Sequence, residues 1–200
     1  MNFLKLKFSF VFLLFSQLLF SQLSNFTLTV TATNETCPAN GTLTFNVANT
    51  TPGSTILFTI YKLPDLTNAI SVQSTNSLTG LSGGIYRVVA TQSLAGNSGT
   101  QQQEIEIEDL YEELSYQISS VRETCGNDGV ITVNVLSGDP VNFEIFAGPM
   151  IRPLQPSNVF TGLTAGVYSI RVFDGCNDGL VQTYNLQGSN TEIEFNQFTP

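Results

Sequence analysis

Histidine and tryptophan are both absent from the 200 residues, and only seven lysines and arginines stand against sixteen aspartates and glutamates. Without histidine there is no Ser-His or Cys-His nucleophile pair and no imidazole ligand for zinc or iron. The three cysteines, Cys37, Cys125 and Cys176, include no pair at metal-ligand spacing. No glycine-rich loop of the P-loop or dinucleotide type occurs either. The expectation is a non-enzyme with no catalytic, cofactor-binding or metal-ligating residues. Enzymes built on carboxylates alone remain formally possible, since a glycosidase needs only two.

Apolar residues concentrate at one end. Met1 to Ser21, MNFLKLKFSFVFLLFSQLLFS, sets Lys5 and Lys7 ahead of a Phe, Leu and Val stretch from Phe8 to Phe20. That is the charge-then-apolar order of a secretory signal peptide. A transmembrane anchor competes with it, but Ser16 and Gln17 interrupt the run, which is shorter than the ~20 residues needed to cross a bilayer. Ser21, just before Gln22, is the best cleavage candidate. Removing the segment takes two of the seven cations and none of the sixteen anions, so the mature chain carries 5 − 16 = −11. Nucleic-acid binding needs clustered positive charge, so no nucleic-acid partner is expected. No later apolar stretch approaches membrane length. The mature chain is therefore expected to stay out of the membrane and to be secreted or held at the cell surface.

What is present is a repeat. Glu35-Thr36-Cys37 aligns with Glu123-Thr124-Cys125, and Gly41, Leu43, Phe45 and Val47 with Gly129, Ile131, Val133 and Val135. Further on, LFTIY at 57–61 matches NFEIF at 142–146, and LTGLSGGIYRVVA from Leu78 lies over FTGLTAGVYSIRV from Phe160 without a gap. Apolar residues alternate with Thr, Asn and Ser in these blocks, as in half-buried strands. The first copy offers about seven short β-runs, near 26–32, 42–48, 55–62, 69–73, 76–80, 85–91 and 102–108, separated by Gly, Asn, Pro or Ser turns. EDLYEELSYQI, from Glu108, is the nearest approach to a helical stripe and admits a short helical turn between the copies.

Many short strands in units of roughly 80 to 90 residues predict an all-β chain of two tandem immunoglobulin-like antiparallel sandwiches. The expected division is a signal peptide over 1–21, a first repeat over 22–109 and a second over 110–190. Residues 191–200, TEIEFNQFTP, place Ile193 and Phe195 like the apolar pair that opens each repeat, and read as the first strand of a third. Tyr86 and Tyr168 are candidates for a tyrosine corner, in which a hydroxyl at the start of a late strand ties back to upstream backbone. Ligand stacking is the other role open to them.

Cys125 has Cys176 as a candidate disulfide partner, which leaves Cys37 unpaired because Leu94 stands where the first repeat would carry the equivalent of Cys176. One objection is geometric. In a strict immunoglobulin topology those two turns lie at opposite ends of the sandwich, while a bridge needs Cα atoms within ~7 Å. The inter-sheet disulfide of antibody domains is missing, since Val88 and Ile170 occupy the place of its second cysteine.

Glu104, Glu106, Glu108, Asp109, Glu112 and Glu113 form the one dense acidic stretch. Isoleucines 105 and 107 alternate with the glutamates as on a solvated edge strand, and outward charge there discourages aggregation. Ca²⁺ held by this stretch is the sharper reading, because hard oxygen ligands suit it, but no D-x-D calcium spacing occurs. Asn127-Asp128-Gly129 and Asn177-Asp178-Gly179 read as turns.

ETCGNDGVITVNVLSGDPVNFEIF, followed by FTGLTAGVYSIRVFDGC, resembles the SprB-type repeat of bacterial gliding-motility adhesins. The resemblance covers about 55 residues of the second copy. It is weaker in the first, where Pro38 and Ala39 replace Gly126 and Asn127, and Leu94 replaces the closing cysteine. It implies tandem immunoglobulin-like repeats in large type IX-secreted surface proteins. The functional expectation is thus a cell-surface adhesin segment whose repeats act as spacers or weak ligand-binding modules, with an unidentified polysaccharide or protein as surface ligand. The alternative is an accessory carbohydrate-binding pair belonging to a secreted hydrolase.

Overall fold

A computed structural model describes residues 23–189. The expected signal peptide, and the expected opening strand of a third repeat over 191–200, lie outside the described residues.

The first repeat folds into seven strands: β1 (Thr27–Thr33), β2 (Gly41–Ala48), β3 (Thr55–Lys62), β4 (Ser71–Gln73), β5 (Ser77–Leu81), β6 (Gly84–Leu94) and β7 (Asn97–Ile107). The second follows the same plan with β8 (Ser115–Val121), β9 (Gly129–Ser137), β10 (Pro140–Ala147), β11 (Arg152–Gln155), β12 (Val159–Leu163), β13 (Gly166–Asp174) and β14 (Gly179–Leu186). Each repeat builds a three-stranded sheet, β1-β2-β5 or β8-β9-β12, and a four-stranded sheet, β4-β3-β6-β7 or β11-β10-β13-β14. All strand pairs are antiparallel. The chain is a tandem pair of immunoglobulin-like β-sandwiches. Unlike a constant-type domain, whose fourth strand joins the sheet of the first two, β4 and β11 pair with β3 and β10.

Alternation along the strands decides what is buried. In β6, Tyr86, Val88 and Ala90 face inward, and in β13 Tyr168, Ile170 and Val172 occupy the matching places, all at most 1% exposed. The first core adds Val30, Leu43, Phe45, Phe58, Ile60, Leu81 and Ile107; the second adds Tyr116, Ile131, Val133, Phe143, Ile145, Phe160, Leu163 and Leu186. Each of the Val, Leu, Ile and Phe side chains contributes about 1.5–3 kcal/mol by leaving water. Phe45 and Phe58, from opposing sheets, meet with ring centroids 4.9 Å apart.

Two differences from the sequence reading concern the connections. The stretch after Glu108 forms no helical turn: Asp109 makes a parallel bridge with Glu35, and β8 begins only at Ser115. Residues 35–38, read as part of the first repeat, group with the second unit. The first unit takes the chain up to Asn34 with Ala39–Glu108, and the second takes Glu35–Pro38 with the chain from Asp109 onward. The reason is backbone pairing, since the Leu110 amide donates to the Glu35 carbonyl at 2.8 Å.

Candidate functional site

The features that distinguish this chain from a bare pair of sandwiches lie in the loops that carry its cysteines. Residue 92 of β6 and residue 174 of β13 occupy the same place in the ungapped register, and both are buried polar groups: Gln92 is fully buried and Asp174 is 8% exposed. Gln92 accepts from the Thr51 amide at 2.8 Å and donates to the Ser24 carbonyl at 3.3 Å, fastening the β2–β3 turn. Asp174 turns instead to its own loop. Its Oδ1 accepts the amides of Cys176 and Asp178, each at 2.9 Å. In the first unit β6 runs on to Leu94 and turns through Ala95 and Gly96; in the second, the strand stops at Asp174 and residues 175–178 form a loop with Cys176 at its crest.

That loop carries the disulfide. Cys176 is bonded to Cys37, with Cα atoms 5.5 Å apart, and Cys125 is the free, exposed thiol. The expected Cys125–Cys176 bridge and the expected unpaired Cys37 are therefore both corrected. Strand register gives the reason. Gly129, just beyond the Cys125 loop, pairs with Leu163, close to the start of β13 at Gly166. Cys176 follows the far end of that strand, and nine residues at ~3.3 Å each put about 30 Å between the two ends. Cys37 reaches Cys176 because residues 35–38 travel with the second unit.

The Cys125 loop is held by its own acids. Asp128 accepts from the Thr124 amide at 2.7 Å, the Thr124 hydroxyl at 2.5 Å and the Cys125 amide at 3.2 Å. Those bonds, the Thr124 hydroxyl's first, lower the Asp128 pKa below the ordinary carboxylate value. Glu123 accepts from the amides of Ala165, at 2.7 Å, and Asn127, at 3.1 Å.

Beside the disulfide the second unit has an open cleft of about 420 Å³ lined by Thr36, Tyr111, Glu112, Asp139 and Asp174 among others. The Tyr111 pKa is raised, first by desolvation and then by the negative charge of Asp174, Asp178 and Glu113. The lining offers carboxylates and a phenol but no base paired to a nucleophile. Among the described residues no group of three or more His, Cys, Asp or Glu is placed to hold a metal ion. In the acidic stretch considered for calcium, Glu104 pairs with Arg87 at 2.6 Å, Glu108 accepts from the Asn34 amide group at 2.8 Å and Asp109 accepts from the Tyr111 amide at 3.2 Å.

Tyr86 and Tyr168 point their hydroxyls at backbone four residues upstream, Tyr86 to the Ser82 carbonyl at 2.6 Å and Tyr168 to the Thr164 carbonyl at 2.7 Å. Both rings are buried. Two further ties have no counterpart in the sequence reading. Gln103 of β7 pairs with both the amide and the carbonyl of Val30, at 2.9 and 3.3 Å, and Gln182 of β14 donates to the Tyr116 carbonyl at 2.9 Å. Each joins the first strand of a unit to the last. The only signal was a Gln four places before the buried Ile107 or Leu186, and an isolated Gln does not stand out.

No family model matches the chain, and no curated protein matches it. Among solved structures, the three N-terminal domains of the bacteriophage RB49 highly immunogenic outer capsid protein are similar at 16% identity over 82% of this chain and 59% of that one, with a TM-score of 0.48. The C-terminal 282-residue fragment of intimin, solved in complex with the intimin-binding domain of its translocated receptor, is similar at 14% identity over 84% and 64%, TM-score 0.38. Fibronectin(III)-like modules of Clostridium thermocellum CbhA are similar at 12% identity over 86% and 100%, TM-score 0.31. The chain thus spans less than two thirds of the first two.

Proposed function

We propose that this chain is a non-enzymatic, exported segment of a cell-surface adhesin, its tandem sandwiches serving as spacers or weak ligand-binding modules. The observation that carries the reading is repetition. Two units share strand order, core positions and the tyrosine tie, while the β13–β14 loop, which the first unit does not match, is committed to a disulfide. Export is supported by that disulfide, because such bonds persist in oxidising compartments, and by the leader-like residues 1–21. The resemblance to SprB-type repeats supports surface display through type IX secretion, and the surface ligand is a polysaccharide or a protein.

The carbohydrate-binding alternative calls for free aromatic faces on which a sugar can stack. The aromatic group on the second unit's four-stranded sheet is already engaged. The Arg171 guanidinium lies 4.9 Å from the ring centroids of both Phe146 and Phe173 and is ion-paired with Glu144.

The test is surface labelling of intact producing cells with a membrane-impermeant reagent, coupled to deletion of the coding sequence. The expected result is a labelled protein, and weaker attachment of the deletion strain to polysaccharide- or protein-coated surfaces. A protein protected from the reagent, or a purified chain that hydrolyses polysaccharide, overturns the reading.

A further inference from the structure

Cys125 stands where Cys37 stands in the first repeat, and the likeness of the two loops goes beyond alignment. Two residues before each cysteine, a glutamate makes a parallel bridge to the second residue past the last strand of a sandwich: Glu35 to Asp109, just after β7, and Glu123 to Gly188, just after β14. The partner backbone is held the same way, the Leu110 amide donating to the Glu35 carbonyl at 2.8 Å and the Ser189 amide to the Glu123 carbonyl at 2.7 Å. Two residues after each cysteine the backbone enters the left-handed region, with φ 54° at Ala39 and 60° at Asn127. Each opening cysteine is therefore presented beside the point where the chain leaves β7 or β14, although the loops differ at the next residue, where Gly126 is left-handed at φ 62° and Pro38 is held at about −65° by its ring.

The fates of the two thiols differ. Cys37 is bonded to Cys176, in the loop that closes the β13–β14 hairpin of the next repeat. Cys125 is free and exposed. Its own repeat's closing cysteine is already taken, and the first repeat has Leu94 at that place.

We infer that Cys125 is an attachment point for another unit of this repeat type, forming a disulfide with that unit's closing-loop cysteine as Cys37 does with Cys176. The rule is a staggered one, in which the opening cysteine of one repeat bonds the closing cysteine of the next. It explains why the two cysteines of the second repeat are not partners. The recipient is recognised by its chemistry, a thiol in a D-G-C-N-D-G-like loop whose amides are gathered by an aspartate placed like Asp174. It can belong to the same polypeptide or to a second molecule. Bond formation consumes two thiols and one disulfide supplied by a small-molecule or enzyme oxidant, and yields the protein disulfide and two reduced thiols from the oxidant. The inference requires an oxidising compartment but not the adhesin reading. A surface protein with Cys125 free would leave that reading standing and remove this one.

The decisive experiment is non-reducing peptide mapping of the native protein, alkylated before digestion. The expected result is the Cys125 peptide joined to a closing-loop peptide other than that of the same molecule's Cys176. Denaturing non-reducing electrophoresis separates the sources, since a bond within one polypeptide leaves the mass unchanged and a bond to a second molecule raises it until reductant is added. An alkylated Cys125, a Cys125–Cys125 dimer, a small-thiol adduct or a Cys125–Cys176 bond within one molecule would each overturn the inference. An independent check mixes the 200-residue chain with its Cys37→Ser, Cys125→Ser variant in a glutathione buffer. A Cys125–Cys176 mixed disulfide forming at least several-fold faster than the Cys125–Cys125 dimer is expected; equal or slower formation counts against the inference.

Discussion

Asp174 holds the amide of Cys176 at 2.9 Å, so the residue that ends β13 also shapes the loop through which the disulfide is made. The same carboxylate takes the Asp178 amide. Replacing it with alanine leaves two loop amides without their acceptor, a loss of about 1–3 kcal/mol. Oxidative refolding of Asp174→Ala is expected to leave more titratable thiol than the parent at equal times. An unchanged thiol count and an unchanged melting temperature would show that the loop is formed by its backbone alone.

The Cys37–Cys176 bond closes a loop with a sequence separation of 139 residues, for which chain entropy allows up to about 5 kcal/mol. In the isolated 200-residue chain, where Cys125 is free, Cys176→Ser should lower the thermal midpoint measured by calorimetry, and Cys125→Ser should not. A comparable loss from both variants would indicate that Cys125, too, is structurally engaged.

Tyr86→Phe and Tyr168→Phe each remove one hydroxyl and leave a backbone carbonyl without its donor. A cost of about 1–1.5 kcal/mol apiece is expected from denaturant midpoints, with fold retained by circular dichroism. If the two tyrosines instead contact a ligand, the variants would keep their stability and lose binding.

Gly129 packs so closely that an added Cβ would lie 2.7 Å from the Leu163 carbonyl oxygen, and at Gly41 the same atom would lie 2.6 Å from that of Leu81. Both contacts are to strand backbone, which cannot move aside cheaply. Gly129→Ala is expected to destabilise the second unit by about 1–3 kcal/mol, read as an earlier transition in urea. No change in midpoint would mean that the β9–β12 register adjusts.

Tyr116 sends its hydroxyl between the two sheets to the carbonyls of Ile170 and Leu180, each at 3.2 Å. Burial pushes its pKa up to about 12 from the ordinary 10.0. A folded-state pKa above the unfolded value means that the stabilising difference is intact below pH 10 and is lost as pH rises from there toward 12. Tyrosinate absorbance should show a late step near pH 12 from Tyr116, and stability should fall by up to about 1.4 kcal/mol per pH unit in that window. Tyr116→Phe should abolish the late step. A curve unaltered by that substitution would assign the late step to another tyrosine.

The two sandwiches were legible because burial in a strand follows a period of two. Once the duplicated blocks were aligned, Tyr86, Val88 and Ala90 and their partners Tyr168, Ile170 and Val172 could lie only on an inward face, and glycine-rich turns spaced the strands. Polar ties such as Gln103 to Val30 were not legible, since they join strands far apart in sequence and carry no periodic mark. Gln92 and Asp174 fall in the same register position, yet only the folded loops show that one fastens a neighbouring turn and the other its own. The cysteine pairing also lay beyond the sequence. Two cysteines in one repeat look like partners along the chain, but a nine-residue strand separates the loops that carry them. By itself the sequence determined a duplicated, acidic, histidine-free β chain with three cysteines. Tertiary structure alone decided which thiols meet, because a disulfide answers to distances between loops, and those are set by backbone pairing at Glu35 and Asp109 rather than by any local pattern of residues.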